Sequence, residues 1–228
     1  MRRITTFTTS AAIAAIVLAA ATPAVASSGY STLGKSGVKK IVSNPDLAPA
    51  NLGPSEKNLY VWTAGPTTAP FVCWSSSGKP QSLPPASAGT LGYTLTGSNT
   101  AVGTTVTEYP TLQAATEAGT QLMGFTCPKK AKMSPDAGAK PLAITQANST
   151  LSPVYGTSGK LPSQGRIDTY ETSERGVKFV QVNAVLQIGR VVICVGGGAK
   201  PGQREELTDW ALAAVDAAAV DYQKRAAK

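Results

Sequence analysis

The chain has 228 residues, a formal net charge of +8 and no histidine. The missing histidine excludes Ser-His-Asp and Cys-His catalysis and histidine-ligated zinc. Its three cysteines lack the spacing of a zinc site and no EF-hand-like run is present, so no metal or cofactor is expected.

Residues 1–26 read as a signal peptide. Arg2 and Arg3 open it, Ile13 to Ala21 is apolar, and Ala24-Val25-Ala26 is a small-x-small site that places cleavage between Ala26 and Ser27. The apolar run is shorter than the roughly 20 residues a spanning helix needs. No later stretch is long and apolar enough, so a secreted chain without a membrane span is expected. Loss of the two arginines lowers the formal charge to +6. Such a protein is attracted to anionic surfaces such as wall polymers. The basic residues are spread out, apart from Lys129, Lys130 and Lys132, and no aromatics are interleaved with them. Specific nucleic-acid binding is therefore not expected.

Residues 27–45, rich in Ser, Gly and Lys, read as a flexible leader. One domain is expected over 46–226, long enough for a sizeable core. Leu59 to Trp62 reads as a short strand, and Phe71 to Trp74 as a strand or a wedge into the core. Ser75 to Ala88, with Pro80, Pro84 and Pro85, reads as irregular. Thr90 to Thr96 and Ala101 to Tyr109 form two antiparallel strands around Gly97-Ser98-Asn99. Pro110 opens a helix whose face is Leu112, Ala115, Gly119, Leu122 and Met123, ending near Gly124-Phe125.

Pro128 to Gly165 looks least ordered, with short strands at Leu142 to Ile144 and Leu151 to Tyr155. Arg166 to Ser173 alternates as a strand. The chain is organised around an apolar hairpin, Gly176 to Leu186 and Val191 to Val195, turning near Gly189. Val180, Val182, Ala184 and Leu186 share one face. Val191, Ile193 and Val195 oppose Val192 and Cys194, so the returning strand is apolar on both sides and belongs in the centre of a sheet. A helix from near Gly202 closes the chain. Its stripe is Leu207, Trp210, Ala211, Ala214, Val215, Ala218 and Tyr222, with Trp210 as the large anchor.

In an oxidising compartment at least one cysteine pair is expected, and three pairings are open. Cys127 with Cys194 is preferred, because it ties the early helix to the late sheet. Cys73 is then a buried thiol or a link to another chain.

Candidate chemistry is sparse. Asp168, Glu171 and Glu174 lie on a strand, with Glu171 facing away from the other two, and read as a solvated face. Gly196-Gly-Gly198 sits between strand and helix as phosphate loops do. Pro201 stands where a dinucleotide pattern needs glycine, so a flexible turn is the better reading. Asn148-Ser-Thr150 matches the glycosylation triplet. Ser-x-x-Lys occurs at Ser36 to Lys39 and Ser76 to Lys79 without the partners of a serine–lysine hydrolase. No catalytic residue is assigned.

Asp46-Leu-Ala, Leu52-Gly, Cys73-Trp74, Glu108-Tyr-Pro, Phe125-Thr-Cys127, Gly176 to Cys194 and Asp209-Trp-Ala follow one another in an order of their own. In that order the chain resembles the extracellular sensor-like domain of actinobacterial membrane serine/threonine kinases and related secreted proteins. The resemblance implies an α+β fold: a twisted antiparallel sheet with two main helices packed on one face, disulfide-braced. It also implies a non-enzymatic domain that binds or senses an undefined extracellular ligand. Three cysteines rather than an even set depart from that pattern, and signalling in cis is not expected. The expected site is the concave side of the sheet or the Pro/Gly-rich loops. The alternatives are a basic protein held on anionic cell-wall polymer and, behind it, a histidine-free serine hydrolase.

Overall fold

The computed structural model describes residues 31–47, 55–62, 65–66, 83–96, 100–131, 142–151, 163–174 and 177–226. The apolar hairpin is its centre. Strands β9 (Val177–Ile188) and β10 (Val191–Ala199) pair antiparallel. They are joined at Gly189, whose φ of 53° lies in the left-handed region open to glycine. The other side of β10 pairs with β5 (Ala101–Glu108), so this strand is central, as its two apolar faces require.

The remaining strands extend the sheet both ways. β1 (Ser55–Trp62) and β4 (Ala88–Thr96) lie beyond β5. β8 (Ser163–Glu174), β7 (Leu142–Thr150) and the two-residue β6 (Lys130–Ala131) lie beyond β9. The order is β1-β4-β5-β10-β9-β8-β7-β6, antiparallel throughout, and β2 (Gly65–Pro66) and β3 (Pro85–Ala86) form a separate small ladder.

Among the described residues, three α-helices cover this sheet: α1 (Gly34–Val42), α2 (Leu112–Gly124) and α3 (Arg204–Ala226). The expectation of two main helices on one face is corrected. Leu207, Ala211, Ala214, Val215 and Tyr222 of α3 share a core with Val182, Ala184, Ile193 and Val195. Ala115, Ala118 and Leu122 of α2 pack instead with Val185, Val192 and Cys194. Neighbouring strand residues point to opposite faces, so α2 and α3 lie on opposite sides. The reason is already in the hairpin. A strand apolar on both faces needs cover on both, and each fully buried Val, Leu or Ile stabilises by about 1.5–3 kcal/mol.

The flexible leader is also corrected. Gly34–Val42 is helical, and Val38, Ile41 and Val42 are fully buried beside α3. The helix is held at its start by Glu108, whose Oε1 accepts from Leu33 N–H and Oε2 from Gly34 N–H, both at 2.8 Å. The carboxylate satisfies two of the donors that every helix start leaves unpaired. Arg190 lies 3.7 Å from the same carboxylate and donates to Thr32 Oγ1. Before α1, Ser31 N–H donates to the carbonyl of Ala226 at 3.1 Å.

Three smaller differences concern single elements. β7 runs nine residues rather than stopping at Ile144. Gly196 to Gly198 are not a turn but the end of β10, in register with Gly103 to Ala101. A Cβ on Gly197 would come within 2.6 Å of the Ala101 carbonyl and 3.1 Å of Leu207, so the glycine admits the closing helix. α2 opens at Leu112 rather than at Pro110, and Thr111 caps it, accepting from Ala114 N–H. The signal peptide, Phe71 to Trp74 with Cys73, the turn at Gly97 to Asn99, Lys132 and Ser152 to Tyr155 lie outside the described residues.

A candidate binding groove at the start of the last helix

The sheet is wider than its helical cover. α3 spans β9 and β10, and beyond them β8 and β7 continue toward the edge. Register places Thr145, Glu171 and Val180 side by side across β7, β8 and β9, on the face that α3 covers further along. Thr145 and Glu171 are exposed there.

Arg204, the first residue of α3, reaches over this ledge. Its Nη1 lies 2.6 Å from Glu171 Oε1, with the two side chains 48 % and 55 % exposed. Ala143, Thr145, Ser173, Lys178, Phe179 and Pro201 are among the other residues lining a groove of about 380 Å³. It presents two cations, one carboxylate and the hydroxyls of Thr145 and Ser173, all reachable from solvent. The acidic residues of β8 separate as alternation requires: Glu171 joins this groove and Asp168 faces the other way.

Asp168 corrects the solvated-face reading, since it is only 2 % exposed. Its Oδ1 accepts from Arg166 Nε at 2.9 Å, Arg166 Nη2 at 2.6 Å and Gln146 Nε2 at 2.8 Å. Gln146 Oε1 in turn accepts from Cys127 N–H at 2.9 Å, and Arg166 Nη1 donates to the Met123 carbonyl at the end of α2. These bonds fasten the groove's floor to the segment after α2. Tyr170 packs there on Cys127 and Ala131. Burial first, and the charge of Asp168 second, push its phenol above the usual range, against the pull of Arg166.

The preferred Cys127–Cys194 bridge is not formed, because Cys194 is a free thiol. Cys194 lies under α2 in the cluster of Val185 and Val192, whereas Cys127 belongs to the separate cluster with Tyr170. Burial alone pushes the Cys194 thiol up to about 12. It acts as a small apolar side chain.

A second cavity, about 570 Å³, lies at the seam of α1 and α3 and is lined by Ser36, Lys39, Lys40, Asn44, Asp221 and Arg225. Arg225 is paired with Asp221 at 2.9 Å. The Ser36 and Lys39 pair sits one helical turn apart, with both side chains exposed. A nucleophile-activating lysine needs a desolvated setting, which this surface does not supply.

Local sequence does not mark the groove. Arg204 reads in sequence as one helix-start residue among several, and only the register of β7 with β8 brings Thr145 and Glu171 to it. Trp210 is half-buried against the α3 core, and its indole N–H donates to the Leu47 carbonyl at 3.1 Å. Among the described residues no helix is long and apolar enough to cross a membrane.

No family model matches the chain, and no curated protein matches it. Among solved structures, the extracellular domain of PknH from Mycobacterium tuberculosis is similar to it. The TM-score is 0.52 and the identity 12 %, over 84 % of this chain and 99 % of that one. At that identity the likeness is one of fold: an antiparallel sheet with helices, in the α+β class.

Proposed function

We propose that this chain is a secreted, non-enzymatic binding domain that takes an extracellular ligand in the groove at the start of α3. The observation that carries this reading is the Arg204–Glu171 pair. It is set by a packed helix on one side and a paired strand on the other, yet left half open to solvent. Lys178 adds a second cation, so the groove suits a polar ligand that offers acceptors to Arg204 and Lys178. The fold shared with an extracellular domain supports the same reading, as does the predicted signal peptide. N-terminal sequencing of the exported protein is expected to begin at Ser27.

Native mass spectrometry of protein recovered from culture medium tests the groove. A bound small molecule held by the parent and lost from the Lys178→Ala/Arg204→Ala variant supports it. An adduct retained equally by both overturns it.

A second reading, retention on anionic cell-wall polymer, has its own observation in the lysines around the α1–α3 cavity. Retention on a phosphate-bearing resin distinguishes the two. Charge-driven binding fades steeply with salt and weakens in Lys39→Ala/Lys40→Ala, whereas groove binding fades less steeply with salt and is unchanged by that double substitution.

A further inference from the structure

We infer that the groove takes an acidic sugar: an oxyanion gripped by Arg204 and Lys178, with a neighbouring hydroxyl donated to Glu171. This deepens the reading of the groove as a ligand site and rests on it.

Unused hydrogen-bonding capacity defines the ligand class. Arg204 donates to Glu171 Oε1 through Nη1 alone. Among the described residues, no partner engages Arg204 Nε and Nη2, Glu171 Oε2, or the side chains of Lys178, Thr145 and Ser173. Nε and Nη2 form one edge of the guanidinium, a pair of parallel donors that matches two oxygens of a carboxylate or a phosphate. Lys178 lines the same groove as a second cation. An anionic group is therefore the first requirement.

Glu171 sets the second. Its free oxygen can only accept, and a bare anion brought to Arg204 would face it with no donor between them. An ammonium would satisfy that oxygen only by adding a third cation beside Arg204 and Lys178. A hydroxyl donates to it without adding charge. Thr145 stands opposite Glu171, about 5 Å away across the strands. Ser173, opposite Lys178, lies on the same face two residues beyond Glu171, about 7 Å along the strand. Polar groups thus recur both across and along the groove floor, which suits several hydroxyls on one ring. Val180 and Pro201 supply carbon surface for the C–H groups of that ring. The volume of about 380 Å³ is near the lower end of ligand pockets, about 300–1,000 Å³, and so fits a small molecule.

An amide-shift titration of the full mature chain at about 0.15 M salt tests this with four probes: glucuronate, glucose 6-phosphate, glucose and inorganic phosphate. The two sugar anions are expected to bind at least about tenfold tighter than glucose or inorganic phosphate, since each of those lacks one of the two charge-assisted contacts. The tighter sugar anion tells whether a carboxylate or a phosphate is preferred. Shifts are expected at residues 171, 178 and 204, and Lys178→Ala/Arg204→Ala is expected to lose both sugar anions. Glu171→Ala, at an exposed position and with an unchanged melt, is expected to erase the preference over inorganic phosphate, while phosphate itself binds no more weakly. Inorganic phosphate binding as tightly as the sugar anions, or a preference that survives Glu171→Ala, overturns the inference and leaves the groove as a ligand site. Binding by none of the four overturns the inference too, and the adduct comparison by native mass spectrometry then decides the groove separately.

Discussion

The buried carboxylate of Glu108 caps the helix that begins at Gly34, although 74 residues separate them. A strand residue in the middle of the chain thus decides whether the first helix is docked. Glu108→Ala is expected to cost about 2–4 kcal/mol, since two charge-assisted bonds are lost and two helix-start donors lose their acceptor. Hydrogen exchange is expected to rise selectively over residues 34–42. Uniform acceleration across the sheet would count against this assignment.

Two adjacent glycines are expected to behave oppositely. At Gly197 a Cβ meets the Ala101 carbonyl at 2.6 Å and Val102 at 2.7 Å, whereas at Gly198 the nearest atom lies at 3.8 Å. Gly197→Ala is expected to cost about 1–3 kcal/mol by forcing β5 or α3 to move. Gly198→Ala is expected to be neutral or slightly stabilising, because the unfolded chain loses freedom. Thermal melts of the pair read the contrast directly, and equal melting temperatures would refute it.

The thiols give a third expectation. Cys127 is a bonded cysteine and Cys194 a free one. Non-reducing peptide mapping is expected to recover the Cys194 peptide as a free thiol. Cys194, with its thiol pushed up to about 12, is expected to resist alkylation until the protein unfolds. Alkylation of Cys194 in the native protein would contradict its place under α2.

Asp216 supplies a pH dependence. Its Oδ1 is buried without a hydrogen-bond partner, and burial raises its carboxyl above the ordinary value. The folded state therefore holds this proton more tightly than the unfolded one. The stability tied to it is fully present below the unfolded pKa and is lost as pH rises through the folded value. Asp216→Asn is expected to melt higher than the parent at neutral pH, with the gap closing on acidification. A gap that widens in acid would reverse the sign.

The centre of this fold can be read from residues alone, because the hairpin from Val180 to Val195 announces its burial by alternation. α1 was missed for lack of density: Val38, Ile41 and Val42 carry helical spacing, but the lysines and serines around them suggested a solvated leader. Gly196 to Gly198 misled in the other direction. Three glycines favour a turn locally, and only the closeness of Leu207 and Ala101 explains why they form a strand. The helix faces were a matter of parity. Val192 and Cys194 pointed away from α3, and that already required a second cover. The groove needed the register between Thr145 and Glu171, which local sequence does not encode.

The hydrogen bond from Ser31 to Ala226 brings the two ends of the described fold together. A short Gly/Ser linker could therefore join them, with new ends opened elsewhere on the surface. The core would then retain its pairing with a different chain order. Such a circular permutant would separate the contribution of α1 docking from that of a free terminus, using the same set of side chains.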